Sequence, residues 1–307
     1  MNAEGPRRIL IAGNVNIDHV LGPQTPWPQP GQEVFVPHSE LRAGGAAGNA
    51  ALALHALGTP LLLAASRGPD AFGQLLAETL GEVPALWRLS GRSTGISVGL
   101  THPDGERTFF SFLGHLAEYG PGDTAPLLAQ ARPGEVLLVC GSFVGAAWRA
   151  HHPALLAQAR ALGVLVALDP GWPPEGYTPA VRAEVRGWLP LTEHLLINAL
   201  EARALTGRTT DGDAAEALRD WLAPGGSLVI KQGPDGAAAW QAEAHCRVAA
   251  PAVQVVDTIG AGDTFNAGYL WALLRGEALE ERVRCGTSVA SAAISSSPRR
   301  YGRSIPG

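Results

Sequence analysis

Residues 257–270 read DTIGAGDTFNAGYL and hold the groups best suited to chemistry. Gly260 and Gly262 carry no Cβ, so the backbone there can approach a ligand closely. The apolar run that follows predicts a helix beginning near Asp263, with unpaired N–H groups and a positive dipole end at its start. Gly260, Ala261 and Gly262 thus form a candidate anion cradle suited to phosphate. Asp263 has two readings. Asp is a common helix cap. Yet a carboxylate beside bound phosphate weakens that binding unless it has another task, and accepting a proton from an attacking hydroxyl is such a task. Asp257 supplies a second acid close by.

Other nucleotide patterns fit less well. A dinucleotide fingerprint starting at Gly260 would need its third glycine at Phe265, and no strand-helix-strand unit follows. No G-x-x-x-x-G-K-[ST] loop occurs. Lys231 is the one lysine, so positive charge is almost entirely arginine. Cys140, Cys246 and Cys285 are widely spaced and odd in number, which argues against a disulfide framework and a zinc site. With a net charge of -5 and no basic run, the chain has no general grip on nucleic acid. Asn14, Asn16 and Asp18 interrupt the first apolar run, and His55, Gly58 and Pro60 break the longest one. The expectation is a cytoplasmic protein with no membrane span.

Such chemistry needs a rigid frame, and 307 residues with 46% hydrophobic content can supply one. RRILIAG reads as a buried strand ended by Gly13. After a Pro-rich excursion, EVFVPHSEL predicts a short strand around Val34, Phe35 and Val36. AGGAAGNAALALHALG predicts a helix that Gly58 ends. DAFGQLLAETLGE has helical spacing, with Phe72, Leu75, Leu76 and Leu80 on one side. Between Ser93 and Phe112, the alternation of Ile96, Val98 and Leu100, the PDGER turn and TFFSF predict a hairpin. VLLVC, VLVAL, HLLIN and SLVIK then alternate with helical stretches. The fold class is α/β, a doubly wound, mostly parallel sheet flanked by helices. The hairpin and the Pro-rich excursion break that rhythm and are expected to pair as a small second sheet.

DTIGAGDTFNAGYL is similar, almost position by position, to the C-terminal signature of the ribokinase-like (pfkB) carbohydrate kinase family. AGGAAGNAALALHALG resembles that family's N-terminal Gly-Gly signature, and the two stand in the right order over nearly the whole length. The resemblance implies a single ribokinase-like domain over 1–307, with a β-sheet lid inserted at about 14–42 and 92–114. It implies ATP as donor, Mg2+ as cofactor, Asp263 as general base and the glycine-rich turn as anion hole. Asn198 and Glu201 in INALEA, ordinary cap residues by themselves, resemble the family's N-x-x-E element, which supports magnesium through water. Lys231, Gly233 and Gly236 in KQGPDG resemble its nucleotide-contacting loop.

On the acceptor side, Asn16 and Asp18 in GNVNIDHV resemble the strand end that meets sugar hydroxyls, with Gly44, Gly45 and Asn49 directed to the same substrate. Glu106 and Arg107 fall where the family's lid lies. Asp257 is the candidate ligand of a monovalent cation, K+. Lid pairing implies a homodimer through EVFVP and TFFSF. Departures bear on substrate: Ala46 stands where ribokinases carry Lys, CGSF lacks their acid, and Gly171 and Trp172 follow Pro170 in place of Asn and Arg. They argue against ribose itself. The expected activity is ATP-dependent phosphorylation of a hydroxyl on a sugar or sugar-like small molecule. A nucleoside or vitamin-like alcohol is the alternative acceptor, and a catalytically silent sugar or nucleotide sensor the alternative role.

Overall fold

The computed structural model of the chain describes residues 6–103 and 107–302, so Glu106 lies outside the described residues. The first half runs β1 (Ile9–Ala12), β2 (Asn16–Gly22), β3 (His38–Gly44), α1 (Ala46–Ala56), β4 (Leu61–Arg67), α2 (Ala71–Thr79), β5 (Ala85–Leu89), β6 (Ile96–Thr101) and β7 (Arg107–Phe112). Next come α3 (Pro121–Leu128), β8 (Val136–Cys140), α4 (Ala146–Ala161), β9 (Leu165–Asp169), α5 (Pro179–Trp188), β10 (His194–Asn198), α6 (Ala199–Thr206) and α7 (Asp211–Arg219). The chain ends with β11 (Ser227–Lys231), β12 (Ala237–Gln241), β13 (Ala244–Val248), α8 (Ala261–Leu274) and α9 (Leu279–Ile294). Among the described residues no helix is long and apolar enough to cross a membrane.

Nine strands form one sheet in the order β13-β12-β11-β10-β9-β8-β1-β4-β5, parallel except where β12 and β13 join. Helices cover both faces, which explains why the central strands are unbroken apolar runs rather than alternating ones. Ile9, Leu10 and Ile11 are fully buried, and Leu10 belongs to a different core from its two neighbours. Each such side chain contributes about 1.5–3 kcal/mol of burial. The ends of β8, β9, β10 and β11 line up through the pairs Cys140 with Asp169 and Asn198 with Lys231. Ligands of open α/β sheets sit at these carboxyl ends.

A second sheet of four strands, β3-β2-β6-β7, forms the lid. Its strand β2 starts four residues after β1 ends, so the lid stands at the carboxyl end of the main sheet.

Several expectations are corrected. EVFVP forms no strand: residues 32–36 are irregular, Phe35 is 86% exposed, and β3 begins after Pro37, which cannot donate to a ladder. The lid is therefore built from strands flanking the Pro-rich excursion, not from the excursion itself. Phe72 leaves the apolar side of α2 and is exposed, while Leu76 and Leu80 are buried. Helix α8 begins at Ala261, two residues ahead of Asp263. Four elements went unforeseen, namely α3, β5 and the hairpin β12–β13, whose turn has no glycine and puts Ala242 at φ 48°.

Candidate active site

Both quoted signatures end in helices, and those helices pack together: α1 lies against α8. Gly260 precedes α8 in the left-handed region, at φ 76°, where a residue with a side chain would be strained. A Cβ there would also lie 2.7 Å from Asn49 Nδ2, so the turn and α1 can approach only because the position is glycine. Asp263 occupies the third position of α8, and its Oδ2 accepts a hydrogen bond from Asn49 Nδ2 at 3.0 Å. The cap position itself is Gly260, which has no side chain to cap with. The carboxylate is thus tied to the other signature rather than to its own helix start. Burial, followed by the nearby Asp169 carboxylate, pushes its pKa up to about 7, against the opposing pull of Asn49 and Lys231.

At the start of β2, three side chains are linked in series. Asn14 Nδ2 donates to Asn16 Oδ1 at 3.0 Å, and Asn16 Nδ2 donates to Asp18 Oδ1 at 2.8 Å. Neighbouring β3 leaves room for Asp18 because Gly44 is bare: a Cβ there would fall 2.0 Å from Asp18 Oδ2. Gly45, at φ 80°, caps α1, and a Cβ there would fall 2.4 Å from Asn14 O and 2.6 Å from Asn16 Oδ1. Burial pushes the Asp18 pKa up to about 6, with Arg42 pulling it down. Asn16, Asp18, Gly45, Asn49, Gly260 and Asp263 all border one cavity of about 220 Å3, closed on the lid side by Ser97, Ser111 and Phe112.

A second polar cluster lies at the ends of β9, β10 and β11. Lys231 Nζ donates to Asp169 Oδ2 at 2.7 Å and to Asn266 Oδ1 at 3.2 Å, and Asn266 Nδ2 donates to the same Asp169 oxygen at 2.6 Å. The ammonium is close enough to the glycine turn that a Cβ on Gly262 would lie 3.3 Å from it. Asn198 and Glu201 form a reciprocal cap: Glu201 N donates to Asn198 Oδ1 at 2.8 Å and Asn198 N to Glu201 Oε2 at 3.1 Å. Burial, then Asp169, pushes the Glu201 pKa up to about 7.

In the KQGPDG turn the two glycines differ. A Cβ at Gly236 would strike Val248 O at 1.9 Å, so packing within the sheet edge accounts for it, whereas nothing lies within 4 Å at Gly233. Asp257 accepts three hydrogen bonds. Its Oδ2 accepts from Arg42 Nη2 and, at 2.7 Å, from Arg299 Nη2, and its Oδ1 accepts from Ile259 N at 2.8 Å. Two guanidinium groups therefore stand where the sequence pointed to a monovalent cation.

Sequence reasoning passed over Asp169, Asn266, Asn14, Arg42 and Arg299. Asp169 had a signal, an acid directly after the buried strand LVAL, and Asn266 falls one helical turn from Asp263 on the same face. The two arginines had none, because each meets Asp257 only through the fold.

The model of the pfkB family of carbohydrate kinases matches residues 7–302. The 1-phosphofructokinase of Rhodobacter capsulatus is 30% identical over 270 residues, covering 83% of this chain and 81% of that one. Among solved structures, Sinorhizobium meliloti adenosine kinase superposes with a TM-score of 0.83 at 21% identity, covering 97% of each chain. Arabidopsis thaliana ribokinase complexed with ribose and ATP superposes with a TM-score of 0.78 at 24% identity, covering 95% of this chain and 94% of that one. With the family match spanning both signatures, the lid sheet and the main sheet, the chain belongs to the pfkB family of carbohydrate kinases.

Proposed function

We propose that the protein transfers the terminal phosphoryl group of ATP to a hydroxyl of a sugar or sugar-like alcohol held in the cavity between Asp18 and Asp263. The observation that carries this reading is the bond between Asn49 and Asp263, which joins the two signatures at one cavity and leaves the half-buried carboxylate at an α-helix N-terminus without a capping role. In this reading Asp263 accepts the acceptor's proton, and a pKa of about 7 suits a base working near neutrality. The first-turn N–H groups of α8 meet the developing phosphoryl charge. Ala261 N already donates to Thr258 O at 3.2 Å, so Gly260 and Gly262 are the better donors. Asp18, Asn16 and Asn49 hold the acceptor's hydroxyls, with Gly44 and Gly45 giving them room. ATP lies toward Asn198, Lys231 and Gly233.

Magnesium suits the donor set. Asp169 and Glu201 offer hard oxygen ligands in a site with more carboxylates than cations. Among the described residues no three such groups converge to hold a metal alone, which favours an ion bound through water and the substrate's phosphates. When bound it supplies charge neutralisation of the phosphates. At Asp257 the Arg42 and Arg299 guanidinium groups already supply positive charge, and no step depends on potassium.

Coupled measurement of ADP release over a panel of sugars, nucleosides and vitamin-like alcohols tests the reading. At least one member is expected to stimulate release well above the acceptor-free rate. Tight binding of such a member with no stimulation would favour the sensor instead. For the metal, Glu201→Gln keeps an oxygen for the Asn198 cap and should raise the magnesium needed for half-maximal rate by roughly 10-fold or more. Superimposable magnesium curves for variant and parent would reduce Glu201 to a helix cap.

A further inference from the structure

The acceptor cavity carries charge of one sign. Its ionisable lining consists of Asp18 and Asp263, its other polar lining of asparagines and serines, and among the described residues no Lys, Arg or His side chain borders it. The nearest cations, Arg42 and Arg299, stand behind the lining, where their charge reaches Asp18 and their hydrogen bonds go to other carboxylates. Arg42 and Arg299 both donate to Asp257, and Arg42 Nη1 also donates to Glu40 Oε2 at 3.3 Å. Arg107 donates to Thr258 Oγ1. Lys231 is held by Asp169 and Asn266. His115 lies behind the lining. Its Nδ1 accepts from Gly95 N at 2.9 Å, which leaves Nε2 as the protonated nitrogen facing Val15 O at 3.1 Å, so the ring is neutral.

We propose that the acceptor is an uncharged polyol and not a sugar that already carries a phosphate, because the cavity opposes a second anionic group with two carboxylates and its described lining holds no cationic side chain. The inference rests on the kinase reading above and narrows its substrate class. Hydroxyl groups both donate and accept, which matches carboxylates beside asparagine amides, whereas a phosphate dianion only accepts. The rest of the wall, including Ile96, Leu116, Val144 and Ile259, is apolar and suits the C–H face of a sugar ring or an apolar substituent on it. The 1-phosphofructokinase name of the sequence relatives therefore does not carry over to this chain.

Matched pairs decide the matter: fructose against fructose 1-phosphate, ribose against ribose 5-phosphate, and adenosine against its 5′-monophosphate, each with ATP and Mg2+, read as kcat/KM for ADP release. Like charges a few ångströms apart in a partly buried site should set a preference on the order of 10³-fold for the neutral member of any pair that is used. Ser97→Arg, which adds a cation to the lid side of the cavity, should shift that ratio toward the phosphorylated member by roughly 10-fold or more. Turnover of a phosphorylated member as fast as its neutral partner overturns this inference and leaves the kinase reading intact. Failure of every member of these pairs and of the wider panel to stimulate ADP release overturns the kinase reading, and the inference with it.

Discussion

Replacing Asp263 by Asn is expected to lower kcat by roughly 10²–10⁴-fold, the range that general-base catalysis supplies, while the protein stays folded. Asn has nearly the same shape and can keep a hydrogen bond with Asn49, but it cannot take the acceptor's proton. Affinity for ATP should hold or improve, since a negative charge beside the phosphates is gone. The pH profile gives an independent check. Burial and Asp169 raise the carboxyl's pKa to about 7, and only the ionised form can act as base, so kcat/KM of the parent should fall as pH drops through about 7. The variant should lose that limb. Stability has the opposite sign. A folded-state pKa raised above the ordinary 3.9 or so means that the contribution is complete below pH ~4 and is lost as pH rises through about 7. At pH 8 the variant, which never ionises, should melt no lower than the parent. A clearly lower Tm with kcat retained would make Asp263 a structural residue and remove the base from the mechanism.

The second large effect concerns the acceptor. Asp18→Asn should raise the acceptor's KM by about 10- to 150-fold, corresponding to the roughly 1.5–3 kcal/mol of a lost charge-assisted hydrogen bond, with the KM for ATP nearly unchanged. The asymmetry follows from position. Asp18 borders the cavity through β2, and Asp169, Lys231 and Glu201 belong to a separate cluster at the ends of β9 to β11. Asn can still accept from Asn16 Nδ2, so the Asn14–Asn16 series survives and the readout is charge rather than shape. An acceptor KM equal to the parent's would take Asp18 out of the binding site.

The parts of the molecule legible in the sequence are those with local causes. Parallel strands buried on both faces are short apolar runs, and a left-handed turn at a helix start calls for glycine, so both were readable from the local sequence. What stayed hidden depended on contacts between distant segments. The turn between β12 and β13 uses Ala242 where a glycine or asparagine would have announced it, and EVFVP looks like a strand only until β3 is seen to pair with β2 in a register that starts beyond Pro37. At the site, Asp18 and Asp263 each stood in a recognisable stretch. The ion cluster of Arg42, Asp257 and Arg299 brings together three parts of the chain that no spacing rule connects.

Lys231 is the only lysine in the chain, and its side chain is just 11% exposed at the end of β11. A protease that cuts solely after lysine therefore finds one susceptible bond in the whole polypeptide, and finds it closed. Cutting requires the end of β11 to leave the sheet and the ammonium to leave Asp169, so digestion yields either the intact chain or two pieces. When opening and closing are fast relative to cleavage, the rate of that single cut follows the population of opened molecules. Any ligand that binds only the closed site slows it by the factor [L]/Kd plus one. The scarcity of lysine thus gives the native protein a one-site clock for occupancy, set beside the glycine turn that opens α8.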